Sequence, residues 1–493
     1  MLRTTLLLSL TPIFAQQTAT APKPVEQPPI ARKHELALAG RTLKYTTTTG
    51  MMPINNARGE LEANMFYIAY TLDGVTDPAR RRLMFSFNGG PGSASVWLHL
   101  GAIGPMRVPM KDDGSMPAPP FKLVPNESTW LTDTDLVFID PIGTGYSRPV
   151  KPDLQQKFSS RNGDVESVGE FIRLYLTRNQ RWMSPLFLVG ESYGTTRAAG
   201  LAGYLIDRGI AFNGIALIST ILNFETVHFS PGNDLAYPLI LPSYTSTAWY
   251  HQRLAADLQK KPLRDVLKEV EQWAITGYSE ALARGDKLPP AERKAVIEKL
   301  AHYTGLDPKF IDQAELRIDL QAFNRELLRD KGLMNGRLDS RLTGPAPRDL
   351  SRAAEFDPSM TAIRPPYTAA FYDYVRRELG YSSDDDYYML GGGIGRWDPQ
   401  SAGEFVNVSD SLRRAFARNP FMKLYLGAGH YDMATPYFAA YYTLDHMGLP
   451  PAAKANIRVH EYEAGHMYYI DVKSLDALSR DMRQFLDWAA PVK

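Results

Sequence analysis

The sequence predicts an α/β protein: a mostly parallel central sheet flanked by helices and interrupted by a largely helical insertion. Three observations carry this. Short apolar runs of strand length recur along the first half of the chain, bounded by polar residues, Gly or Pro. Segments with helical apolar spacing lie between them, the alternation of βαβ units. A long, charged, helix-like tract then breaks the rhythm, which resumes near the C-terminus.

The elements follow in order. Met1-Leu2-Arg3 and the apolar run 4–14 read as an export signal, with Ala15 as the cleavage position, so residues 1–15 are expected to be removed. Residues 16–33, rich in Pro, Ala and Gln, read as a flexible linker. A first core segment spans 34–223. Its strands are expected at 65–71, 82–87, 135–140, 186–189 and 215–218, with helices over 164–178 and 195–207. Residues 224–400 read as a mainly helical lid, with charged helices at 265–273 and 290–303. A second core segment, 401–493, supplies strands at 422–426 and 457–462 and helices near 437–446 and 475–488. Gly391-Gly392-Gly393 lacks the preceding strand and the spacing of a phosphate loop and reads as a turn. Asp384-Asp385-Asp386 reads as a solvated acidic turn, and Tyr237, Tyr244, Trp249 and Tyr250 as packing residues of the lid.

Composition narrows the function. Among 493 residues, 44% are hydrophobic, enough for a large core. Lys and Arg number 55 against 54 Asp and Glu, a net charge of +1 without the basic surplus of a nucleic-acid binder. There is no cysteine, which excludes thiol catalysis, thiolate metal sites and disulfides. Nothing calls for a cofactor or metal, and no segment after the signal is apolar enough for a stable membrane span.

The strongest local signal is Gly190-Glu191-Ser192-Tyr193-Gly194, a G-x-S-x-G between a strand-like LFLV and a helical pattern. That context is the nucleophile elbow of an α/β-hydrolase fold, and it makes Ser192 the candidate nucleophile. Its helix-starting position favours developing negative charge. A serine nucleophile needs an imidazole base and a carboxylate to orient it. In this fold the chain order is Ser, acid, His. His466, in Glu463-Ala464-Gly465-His466-Met467 after the last strand, is the expected base. Asp432, in Gly429-His430-Tyr431-Asp432-Met433 after the penultimate one, is the expected orienter. His430 is an alternative base. His446 reads as a helix-end residue, His460 as a strand residue and Asp140 as structural.

These motifs resemble the serine carboxypeptidase family, the group containing carboxypeptidase Y. Asn88-Gly89-Gly90-Pro91-Gly92-Ser93-Ala94-Ser95 is similar to N-G-G-P-G-C-S-S. Asp140-Pro141-Ile142-Gly143-Thr144-Gly145-Tyr146-Ser147 resembles D-Q-P-V-G-T-G-F-S, one residue shorter. Gly190 to Gly194 matches G-E-S-Y-G, Gly465-His466-Met467 matches G-H-M, and Asp432 with Pro436 matches D-x-x-x-P. The resemblance implies an oxyanion hole of the Gly90 and Tyr193 backbone N–H groups. It also implies recognition of a substrate's terminal carboxylate by Asn88 and Glu191. Two facing carboxylates repel unless they share a proton, so peptidase activity is expected to be best at acidic pH.

The chain departs from the family at three places. Ser86 stands where the family has Trp, Ala102 where it has Glu, and Ser93 where it has Cys. The resemblance implies a serine carboxypeptidase whose partner is a peptide with a free C-terminus, and the export signal implies a periplasmic or secreted location. The alternatives are an esterase or acyltransferase using the same triad, and a non-catalytic binding protein on the same fold.

Overall fold

The computed structural model describes residues 27–347, 355–400 and 403–491. The expected signal segment and residues 16–26 of the expected linker lie outside them. Residues 30–33, read from the sequence as the end of that linker, instead open a strand. Their polar residues can pair there because the strand lies at a sheet edge, with one face to solvent.

The central sheet has ten strands. We number nine: β1 Ile30–Leu38, β2 Arg41–Asn55, β3 Leu61–Leu72, β4 Arg82–Phe87, β5 Thr134–Ile139, β6 Leu186–Ser192, β7 Gly214–Thr220, β8 Lys423–Gly429 and β9 Ile457–Tyr462. The tenth, Arg148–Pro149, is a two-residue pairing on β3. The sheet order is β1-β2-β3-β5-β4-β6-β7-β8-β9. β1, β2 and β3 form an antiparallel meander, and β3 pairs antiparallel with β5. From β5 to β9 all neighbours are parallel, so six strands end at one edge.

The parallel strands β4, β5 and β7 are buried along their whole length. Their alternate side chains feed two cores. Leu83, Phe85, Val137, Leu188, Ile215 and Leu424 face one, packed against helices α1 Arg161–Arg178 and α2 Tyr193–Ile206. Met84, Leu136, Phe187, Val189, Ala216 and Tyr425 face the other, covered by α3 Pro358–Arg377 and α4 Val472–Ala489. The pleat thus decides which core each residue joins.

The insertion divides in two. Its first part packs around Tyr244, Val270, Tyr303 and Phe323 as a separate core. Its second part carries α3 back onto the central sheet, where Ile363, Tyr367 and Phe371 join the sheet's own core. Tyr244 stacks on Phe323 inside the first part, 4.0 Å between ring centroids. Tyr250 lies at the surface instead, 42% exposed.

Candidate active site

Ser192 ends β6 and is the residue before α2, with φ 59° and ψ −130°. That region is sparsely populated for a residue with a Cβ and marks a turn held by its surroundings. The glycines two residues either side show why the motif needs them. A Cβ on Gly190 would lie 2.1 Å from the Gly194 carbonyl oxygen, and one on Gly194 would lie 2.8 Å from that of Phe87. Ser192 is partly exposed and its hydroxyl makes no hydrogen bond among the described residues.

Asp432 follows β8 and His466 follows β9, so adjacent parallel strands deliver both to the edge where β6 ends. His466 Nδ1 lies 2.7 Å from Asp432 Oδ2. The carboxylate is fully buried and receives the backbone N–H groups of Ala434 and Thr435 at 2.7 and 3.0 Å. The Thr435 hydroxyl also donates to it at 2.6 Å. Burial alone would depress the His466 pKa. The charge and hydrogen bond of Asp432, with Glu191 adding to them, together outweigh burial and the opposing Arg337, and the net shift is upward. The imidazole is fixed from outside as well: its backbone N–H donates to the Leu338 carbonyl at 2.6 Å, and the Ser219 hydroxyl donates to its carbonyl at 2.6 Å.

The other candidate bases are engaged elsewhere. His430 Nε2 is 3.0 Å from Glu461. His460 pairs with Asp481 at 3.2 Å, and His446 stacks on Tyr442 beyond a helix end. Asp140 accepts both the backbone N–H and the hydroxyl of Ser95 at 2.8 Å, which ties down the loop beginning at Asn88.

Gly90, at φ +99°, lies in that loop. A Cβ on its neighbour Gly89 would sit 2.3 Å from the Tyr193 backbone nitrogen, so the loop runs directly against the start of α2. Two further contacts hold it. Arg197, buried on α2, donates from Nη1 to the Asn88 carbonyl at 2.7 Å, while its Nε meets both Asp164 oxygens at 3.0 and 2.8 Å. The triple-glycine turn closes the other side, Gly391 N–H donating to the Gly92 carbonyl at 2.9 Å.

Asn88 and Glu191 lie side by side in the core. Asn88 Oδ1 accepts the Leu98 N–H at 3.0 Å, and Nδ2 makes no well-formed hydrogen bond but lies close enough to Glu191 to favour its charged form. Glu191 accepts a hydrogen bond from the Tyr469 hydroxyl. Burial pushes its pKa up to about 7 against the smaller opposing effects of His466, Tyr469 and Asn88. Tyr469 and Tyr367 pack together over Gly101, where a Cβ would meet them at 2.5 and 2.6 Å. Ser86 and Ala102 are both buried, and the Ser86 hydroxyl is unpartnered.

Gly90, Ser192 and Tyr193 line one cavity of about 490 Å³. Thr435 and Met433 from the Asp432 loop, and Asp319 and Arg337 from the insertion, complete its charged and polar rim. Asn88, Glu191, Asp432 and His466 lie behind this lining rather than in it.

Ser219, Thr435, Arg197, Leu338 and Tyr469 were not legible in the sequence. All but Thr435 act only across long separations, 247 residues for Ser219 and His466, 278 for Tyr469 and Glu191. Thr435 alone carried a local hint, three residues beyond Asp432.

Comparison with known proteins gives a consistent picture. A family model described as serine carboxypeptidase matches residues 39–478. Serine carboxypeptidase-like 13 of Arabidopsis thaliana is 30% identical over 31% of this chain and 33% of its own length. Serine carboxypeptidase-like 15 of the same plant is 27% identical over 41% and 51%. The chain therefore matches a third to a half of the length of these curated relatives. Among solved structures, the prohormone-processing carboxypeptidase KEX1(delta)p of Saccharomyces cerevisiae superposes with a TM-score of 0.57 at 16% identity, covering 90% of each chain. That likeness is one of fold.

Proposed function

The chain belongs to the serine carboxypeptidase family, and from that premise we propose that it is a serine-type carboxypeptidase releasing C-terminal residues through an acyl-enzyme on Ser192. What supports this reading above all is the buried His466–Asp432 pair, 2.7 Å apart, at the same sheet edge as the strained, cavity-lining Ser192.

In this mechanism Ser192 Oγ attacks the last peptide carbonyl and His466 Nε2 takes its proton. Asp432 holds the Nδ1 proton and stabilises the imidazolium. The oxyanion accepts hydrogen bonds from the Gly90 and Tyr193 N–H groups. Collapse breaks the C–N bond as His466 returns the proton to the leaving amine. Water, deprotonated by His466, then attacks the acyl ester and frees Ser192.

Asn88 and Glu191 would take the substrate's terminal carboxylate. Asn88 Nδ2 supplies a donor, and protonated Glu191 supplies a second. This requires Glu191 to be neutral, so peptidase activity falls as pH rises through about 7. Hydrolysis of a neutral ester, which needs only neutral His466, keeps rising over the same range. Peptidase activity accordingly peaks at lower pH than ester hydrolysis, bounded above by ionisation of Glu191 near pH 7 and below by protonation of His466. The Met1–Ala15 pattern supports export to a periplasmic or extracellular location.

A second reading keeps the triad but makes the enzyme an esterase or acyltransferase. The burial of Asn88 and Glu191 behind the cavity favours it. One experiment separates the two. Ser192→Ala should abolish both peptide and ester turnover, by about 10⁴-fold or more, with the fold intact by circular dichroism. Wild-type enzyme that trims free-ended peptides but spares their C-terminal amides supports the carboxypeptidase. Turnover of esters alone overturns it.

A further inference from the structure

One charged side chain in the cavity has no role in the chemistry above. Arg337 comes from the insertion and is exposed. Among the described residues its guanidinium makes neither a hydrogen bond nor an ion pair. Other insertion arginines are paired: Arg317 with Asp234 at 2.7 Å, Arg341 with Asp339 at 2.7 Å, Arg264 with Glu271 at 2.5 Å.

Its backbone, by contrast, is pinned on both sides. The Arg337 N–H donates to the Asp357 carboxylate at 3.1 and 3.3 Å, and its carbonyl accepts from Met433, the neighbour of Asp432, at 3.2 Å. The next residue, Leu338, accepts the His466 N–H. The cation is therefore mounted on the same strut that holds both loops of the candidate triad.

Its position fits a substrate contact. Arg337 lines the cavity shared with Ser192 and also an adjoining one of about 370 Å³. Two carboxylates line these cavities: Asp319, engaged at a helix start by the Ala322 N–H at 2.8 Å, and Asp357, which accepts the Arg337 and Ser359 N–H groups. An arginine fork matches a carboxylate in a planar, two-bonded geometry. With the backbone pinned, the ordering cost of such a pair is confined to the side chain itself.

We propose that Arg337 is a substrate-binding residue that pairs with a carboxylate of the molecule held at Ser192. The proposal deepens the hydrolase reading and rests on it. The carboxylate comes either from the peptide's C-terminus or from an acidic side chain beside the cut bond.

The test compares wild type with Arg337→Gln and Arg337→Lys on matched substrate pairs. The pairs are a free-ended peptide and its amide, a peptide with Glu beside the cut bond and its Gln counterpart, and a small ester with and without a free carboxylate. For the pair that uses Arg337, Arg337→Gln should raise KM for the carboxylate-bearing member over that of its neutral partner by ten- to a hundredfold, as an order of magnitude. The split in KM should exceed that in kcat, and Arg337→Lys should recover part of it. The first pair reports the terminal carboxylate as the partner, the second the side chain. Equal losses on both members of every pair, or no loss, overturn the proposal. The ester pair keeps the two readings apart. If peptides are untouched by wild type, the peptidase reading fails, and the ester pair alone then decides the role of Arg337.

Discussion

Glu191 is the carboxyl on which the proposed pH response of the site rests. It is neutral below about pH 7 because burial penalises its charge, and the Tyr469 hydroxyl works against that by bonding the carboxylate. Removing the hydroxyl should therefore raise the Glu191 pKa further. Tyr469→Phe is expected to move the alkaline fall of peptidase activity upward by on the order of one pH unit. Ester hydrolysis should keep its profile, since the imidazole's main partner, Asp432, is untouched. Peptide and ester pH–rate profiles of the two proteins check this. A downward shift would show that the hydroxyl is not stabilising the charged form. Neither Ser86, whose hydroxyl is unpartnered, nor Ala102 bonds this carboxyl; the Tyr469 hydroxyl does.

At the scale of elements, α2 does more than start at the nucleophile. Arg197, one turn into it, ties three pieces together: α2 itself, Asp164 on α1, and the loop carrying Asn88 and Gly90. Its ring neighbours Phe87 and Tyr193 lie 5.2 and 5.3 Å from the guanidinium carbon. The pair is fully buried, so losing one partner would strand a charge. Lysine keeps the charge but cannot bridge Asp164 and the Asn88 carbonyl together. Arg197→Lys is expected to cost about 1–3 kcal/mol in urea unfolding. It should also lower kcat by on the order of tenfold or more, because the Gly90 N–H would no longer be held where the proposed oxyanion hole needs it. A kcat unchanged alongside the stability loss would show that the loop is fixed by Asp140 and Gly391 alone.

Across the whole molecule, the insertion is coupled to the sheet through the strut 337–340. Its backbone meets Tyr431 and Met433 on one side and His466 on the other. Strut and loop pack tightly at Gly465: a Cβ there would lie 2.5 Å from the Asp339 side chain and 2.6 Å from the Leu338 carbonyl. Gly465→Ala should push strut and loop apart, costing about 1–3 kcal/mol of stability. It should also lower ester kcat/KM, because His466 moves with its loop. Unfolding midpoints and ester kinetics measured together test the coupling. Activity that survives the stability loss would mean that Asp432 and Ser219 suffice to place the imidazole.

The sequence by itself determined the elements whose signals are local. The run at 82–87 coincides with β4, because a strand buried on both faces needs apolar residues on each, while 457–462 coincides with β9, an edge strand whose Ile457 and Val459 alternate with Arg458 and His460. G-x-S-x-G located the strained turn, since only glycine tolerates backbone contacts as close as 2.1 Å. β1 and β2 were not read, because an edge meander half open to solvent carries polar residues that look like linker or loop. The division of the insertion into a separate core and a returning helix was equally silent, since both halves share one helical periodicity. Tertiary structure alone decided what surrounds the candidate triad: Ser219 on His466, Tyr469 on Glu191, Arg337 at the cavity rim. A hydrogen bond between residues hundreds of positions apart leaves no periodic trace in either segment; it exists only once the parallel strands have brought their ends to one edge.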